Sequence, residues 1–192
     1  MKDFSLHILD IAENAAKAGA TLLTIRLKQQ ENRLLCTIAD NGCGMSETTL
    51  QHVTDPFYTT RTTRPVGMGL PLLRQTVEQT GGMLSIRSRP QQRYPKTHGT
   101  VVEAVCRIDH IDMIPLGDVP ATLVTLLQGH PAMDILFTHT VGPQTVRLDT
   151  RQMREVLGED ISLGEPEVLT WVASDLAQQY QVLRQSGQAV FL

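Results

Sequence analysis

Residues 40–73 read DNGCGMSETTLQHVTDPFYTTRTTRPVGMGLPLL, and the rest of the chain is organised around them. They open with Asp40-Asn41-Gly42-Cys43-Gly44-Met45, directly after the apolar run LLCTIA at 34–39. They close with Val66-Gly67-Met68-Gly69-Leu70, directly before a helical pattern. Between these lie Asp55-Pro56-Phe57-Tyr58-Thr59-Thr60-Arg61 and a short polar link. Gly42 and Gly44 lack Cβ, so the backbone can turn sharply and admit a flat ligand. Asp40, at a strand end, can accept hydrogen bonds from an amino group such as the N6 donor of adenine. Gly67 and Gly69 open a helix, whose first N–H groups and positive dipole end suit phosphate. Arg61 adds a charged fork for a phosphate oxygen. Taken singly, each piece has a plainer reading: Asp-Asn-Gly is a good turn, Gly-x-Gly is common, and Thr-Thr-Arg suits any solvated loop. Their order and spacing read as two walls and a lid around an anion.

The same pieces resemble the GHKL superfamily, the ATP-binding domains of sensor histidine kinases, gyrase, the Hsp90 chaperone and mismatch-repair ATPases. Asp40-x-Gly42-x-Gly44 is similar to the first glycine box of that family, residues 55–61 to its F box, and Gly67-x-Gly69-Leu70 to its second glycine box. Upstream, Glu13-Asn14-Ala15-Ala16-Lys17-Ala18-Gly19 resembles the Asn box. The resemblance implies an α+β fold: a two-layer Bergerat sandwich with a mixed sheet, binding ATP and Mg²⁺. It implies that Asn14 ligates the metal and Lys17 reaches a phosphate. It implies that Asp40, Gly42, Gly44, Met45, Phe57, Thr60, Arg61, Gly67, Met68, Gly69 and Leu70 bind the nucleotide. Hydrolysing members carry a Glu four residues before the Asn; that position is Asp10 here, which makes Asp10 the candidate catalytic base. Glu13 points about 100° from Asn14 on an ideal helix. Thr100 of the Gly99-Thr100 pair is the candidate partner of Asp40, although an ordinary strand Thr fits the residue type nearly as well.

The apolar pattern of residues 3–19 reads as a helix that Gly19 stops, with His7, Asp10, Asn14 and Lys17 on one polar face. His7 is expected there as a face residue or a partner of Asp10. Residues 22–30 and 33–39 read as strands around a Glu31-Asn32-Arg33 turn. A short helix capped by Ser46 follows, then the lid at about 54–66. A second main helix spans 68–80, with strands at 83–88 and 99–107. The resemblance covers roughly 6–107. A histidine-kinase-like ATP-binding domain is therefore expected over 1–108. An αββαα extension over 109–192 is expected to pack on it or on a partner.

At 192 residues the chain can bury roughly 70% of its unfolded surface. A net charge of −3 makes no electrostatic case for nucleic acid or an anionic membrane. No apolar run is long enough to span a bilayer, and Cys36, Cys43 and Cys106 form neither a disulfide framework nor a metal pair. A cytoplasmic setting is expected. There is no GxxxxGKS or GxxxxGKT loop, no GxGxxG and no GxSxG elbow. Sensor kinases place a phospho-acceptor helical hairpin before this domain. The six residues before His7 cannot hold it, so phosphorylation in cis is not expected. The lid and second glycine box side with the kinase branch over mismatch repair. A free-standing domain of this kind has its precedent in anti-sigma-factor Ser/Thr kinases, which act on another protein. The C-terminal region also looks similar to small ATP-binding proteins associated with iron-hydrogenase and related redox complexes in anaerobes, which implies an accessory role. Two functions therefore stand: ATP hydrolysis or phosphoryl transfer that regulates a partner protein, or nucleotide-gated docking with little turnover. The family's usual strand before the Asn-box helix is missing here. The open sheet edge is expected to be repaired by the C-terminal strands or by a second subunit in a homodimer.

Overall fold

The computed structural model describes residues 1–55, 68–158, 160–185 and 191. The chain opens with helix α1, Phe4–Lys17, capped by Asp3, whose carboxylate accepts from the Leu6 N–H. A hairpin follows, β1 Leu22–Gln30 and β2 Arg33–Asp40. Its turn is one residue shorter than the sequence suggests. Arg33 already pairs with Gln30, leaving Glu31 and Asn32, with Glu31 at φ 53°. Helix α2, Glu47–His52, is capped by Ser46. Helix α3, Gly69–Gln79, leads into β3 Met83–Arg89 and β4 Gly99–Arg107. Then come α4 Val119–Gly129, β5 Asp134–Val141, β6 Gln144–Asp149, α5 Thr150–Leu157 and α6 Pro166–Gln185.

The six strands form one mixed sheet in the order β3-β4-β2-β1-β5-β6. Every pair is antiparallel except β1 and β5, which run parallel with Leu22 opposite Asp134. The outer edge of β1 is thus closed by a C-terminal strand of the same chain, one of the two expected repairs. Alternate positions of the central strands face inward: Leu23, Ile25 and Leu27, then Leu34, Cys36 and Ile38, then Ile135 and Phe137. Helix α3 packs on α1, α1 on α4 and α4 on α6, covering that apolar face. This is the expected α+β, two-layer arrangement with an αββαα C-terminal segment.

Two buried histidines lock helices into the core. His7, expected on a polar face, is 1% exposed because α3 covers that side of α1. Its Nε2 lies 3.1 Å from Thr76 Oγ1 on α3, and not against Asp10. His139 on β5 is fully buried, with Nδ1 3.0 Å from the Tyr180 hydroxyl on α6. At the β6 edge, Gln179 of α6 accepts from the Arg147 N–H at 2.8 Å and donates to its carbonyl at 3.1 Å. No helix among the described residues is long and apolar enough to cross a membrane.

Candidate nucleotide site

A cavity of about 660 Å³ opens between the Asn14 stretch of α1, the end of β2, the start of α3 and the β3–β4 loop. Its lining includes Asn14, Lys17, Asp40, Gly44, Met45, Gly69, Leu70 and Thr100, so the fold gathers eight sequence-predicted residues around one space. Asp40 ends β2 directly opposite Thr100 on β4. Its carboxylate accepts the Gly42 N–H at 2.8 Å, and the main-chain N–H of Thr100 lies near enough to favour its charged form. Burial pushes its pKa up, and the main-chain N–H groups of Gly42 and Thr100 and the nearby His98 pull it back. Thr100 faces Asp40 as its strand partner, while the Thr100 hydroxyl lies 2.9 Å from Ser88 Oγ.

The glycine turn is fixed by residues that the sequence motifs did not flag. Ser88 Oγ accepts the Met45 N–H at 2.7 Å. Gln91 N–H donates to the Cys43 carbonyl at 2.9 Å. His98 Nδ1 lies 2.6 Å from the Gly42 carbonyl, which can only accept, so the proton is on Nδ1. Gly44 has φ +66°, and a Cβ there would collide with the Arg89 carbonyl. His98 is the one of these that sequence could have found, since it directly precedes the Gly99-Thr100 pair facing Asp40. Asn41 is a structural anchor: its Oδ1 accepts the Thr21 and Leu22 N–H groups at 2.9 Å each.

On the opposite wall Lys17 is 3.4 Å from Glu13, whose other oxygen meets His130 Nε2 at 2.9 Å. Glu13 is thus tied to α4, while Asn14 faces the cavity. Asp10 lies one turn back, beside the first residue of α3. A Cβ on Gly69 would come 3.4 Å from Asp10 Oδ2, so the glycine lets the α3 terminus approach α1 closely. Met68 holds the α3 cap position, and its side chain makes no capping bond. Asp10, Gly42 and Met68 border this space without lining it. Phe57, Thr60, Arg61 and Gly67 lie outside the described residues.

The residues present fit a nucleotide with a divalent cation. An exocyclic amine matches the half-buried carboxylate of Asp40, which the Gly42 N–H holds in place. The Asn14 amide is a hard oxygen donor of the kind Mg²⁺ takes. Among the described residues no three His, Cys, Asp or Glu converge, so such a cation would draw most ligands from phosphate and water.

Comparison with known proteins agrees. Residues 3–110 match the family described as histidine kinase-, DNA gyrase B-, and HSP90-like ATPase. The tetrathionate sensor histidine kinase TtrS of Salmonella typhimurium is 37% identical over 82 residues, 43% of this chain and 14% of that protein. The sensor histidine kinase YcbM of Bacillus subtilis is 32% identical over 91 residues, 44% of this chain and 29% of that one. The match thus spans less than a third of either relative. A crystal structure of the N-terminal domain of a DNA repair protein shares the fold over 83% of this chain and 58% of its own, with a TM-score of 0.56 at 14% identity.

Proposed function

Because the chain belongs to the histidine kinase-, DNA gyrase B- and HSP90-like ATPase family, we propose that its cavity binds Mg·ATP and that binding, with hydrolysis or phosphoryl transfer in trans, regulates a partner protein. The observation that carries this is the convergence of Asp40, Asn14, Lys17 and the start of α3 on one cavity of about 660 Å³. In this reading Asp40 accepts the adenine amino group, with Gly42 holding its carboxylate in place and Thr100 beside it on β4. Gly44 and Met45 floor the base. Asn14 supplies an amide oxygen to the cation, and Lys17 turns from Glu13 to a phosphate oxygen. Gly69 and Leu70 present α3 N–H groups to the phosphates, with Gly67 and Met68 leading into them. Phe57, Thr60 and Arg61 belong to the segment that closes over the site. The nucleotide supplies the phosphoryl group, and Mg²⁺ neutralises charge on its oxygens. Asp10 orients the attacking group.

The position of Asp10 favours a second reading. It sits against the α3 terminus and is not among the residues lining the cavity. A carboxylate so placed can steady the helix start without activating water, leaving a nucleotide-gated docking subunit of a larger complex, including a redox complex. Calorimetric titration of Mg·ATP into wild type, Asp40→Asn and Asp10→Asn, with phosphate release on the same samples, separates the two. Losing a charge-assisted hydrogen bond of about 1.5–3 kcal/mol should weaken Asp40→Asn binding by about 10- to 150-fold. Turnover abolished by Asp10→Asn with binding intact supports the enzyme. Binding without turnover in wild type supports the docking subunit, and no binding by wild type refutes both.

A further inference from the structure

A cleft of about 1030 Å³ lies between α5 and α6 along β6, and it shares no lining residue with the nucleotide cavity. Its walls are unusual for an interior. On α5 the apolar residues Met153, Val156 and Leu157 recur at three- and four-residue steps and so form one stripe. Only Thr150 of that helix is buried, and Val156 is 86% exposed. An eight-residue helix is marginal in water without tertiary cover. From α6 comes Trp171, 56% exposed, and from the connecting loop Ile161, 43% exposed. Three large exposed apolar side chains therefore share one cleft, the pattern of a binding groove.

The rim is acidic. Asp160, Glu165 and Glu167 line the cleft and make no ion pair among the described residues. Asp175 lines it as well and holds only the Gln179 amide, at 2.7 Å. Asp149 is neutralised by Arg151, which leaves Arg147 to oppose four carboxylates. The neighbouring sheet edge is closed to strand addition at Arg147, because the Gln179 amide occupies both its N–H and its carbonyl. An extended peptide is thus disfavoured there, whereas a helix satisfies its own backbone and needs only an apolar face and complementary charge.

We propose that the α5–α6 cleft is a docking groove for a basic amphipathic helix of a partner protein, whose apolar stripe covers Val156, Ile161 and Trp171 while its Lys or Arg residues meet Asp160, Glu165 and Glu167. This surface stands apart from the nucleotide reading: it requires neither ATP binding nor turnover.

Trp171 is the single tryptophan of the chain, so its emission reports the groove directly. The probe is a Trp-free helical peptide of about 16 residues, roughly 24 Å long, with Leu at i, i+3, i+4 and i+7 and Lys elsewhere. The control replaces each Lys by Glu. The Lys peptide should shift Trp171 emission to the blue and saturate, with an affinity that falls as salt rises. The Glu peptide should bind at least tenfold more weakly. Glu165→Lys with Glu167→Lys should reverse that preference, and Val156→Asp should abolish the response. All three positions are exposed, and far-UV circular dichroism checks that the variants fold. Equal response to the two peptides, or none to the Lys peptide, overturns the proposal. So does a concentration-dependent dimer in which Trp171 is already shielded, because a second copy would then cover the groove.

Discussion

Acid should loosen this fold through its two buried histidines. Burial holds His7 and His139 neutral, lowering each pKa from 6.5 to about 4. In the unfolded chain both would take up protons near pH 6.5. Their contribution is therefore complete above that value and drains away as pH falls towards 4. At pH 5.5 each costs on the order of 1 kcal/mol relative to pH 8, and the pair a few kcal/mol, a sizeable share of the roughly 5–15 kcal/mol that stabilises a domain. Among the described residues, His7 Nδ1 and His139 Nε2 have no hydrogen-bond partner, so none of these residues offers an acceptor for a second proton. Urea unfolding followed by Trp171 emission at pH 8, 7, 6 and 5.5 measures the loss. His139→Gln keeps a polar partner for Tyr180 and does not titrate, so it should remove about half of the pH dependence. Equal slopes in wild type and His139→Gln, or no slope at all, would refute the reasoning.

Gly44→Ala should cost about 1–2 kcal/mol for its left-handed backbone alone, plus displacement of the Arg89 carbonyl. Gly19→Ala, with φ +74° and nothing within 4 Å of the added methyl, should cost only the backbone part. Equal melting temperatures for the two variants would contradict the close approach. Cys43 is exposed and lines the nucleotide cavity, while Cys36 and Cys106 are buried. Maleimide should therefore label Cys43 first, and Mg·ATP should slow that labelling; an unchanged rate under saturating nucleotide would place the ligand elsewhere. Gln179→Leu removes both hydrogen bonds that cover Arg147 on the β6 edge. It should lower stability by about 1–3 kcal/mol and favour association at high concentration, read by urea midpoint and sedimentation. A variant unchanged in both would show the edge needs no cover.

Local pattern made most elements legible. The caps at Ser46 and Asp149, the Gly81-Gly82 stop after α3 and the apolar alternation of β1 and β2 all sit where short-range physics puts them. What pattern could not carry was pairing between distant segments. The parallel seam of β1 on β5 leaves no mark in either strand, because both alternate as any half-buried strand does. His7 misleads for the same reason: its spacing from Asp10, Asn14 and Lys17 describes a polar face, but α3 lies across the first turns and not the last. At the site, residue type pointed to Thr100, whereas its hydroxyl meets Ser88 and the group it turns towards Asp40 is a main-chain N–H that any residue other than proline supplies. The α5–α6 cleft was invisible, since Val156 and Trp171 look like core positions of amphipathic helices until the fold leaves them uncovered.

The β1–β5 seam also sets a schedule for synthesis. Residues 1–107 contain α1–α3 and four of the six strands, but β1 has nothing on its far side until 134–141 emerge. Leu22 waits for Asp134, an interval of roughly 5–20 s at translation rates of about 5–20 residues per second. For that time a nascent chain carries a bare strand edge beside a half-formed core, the moment at which a ribosome-bound chaperone has most to protect.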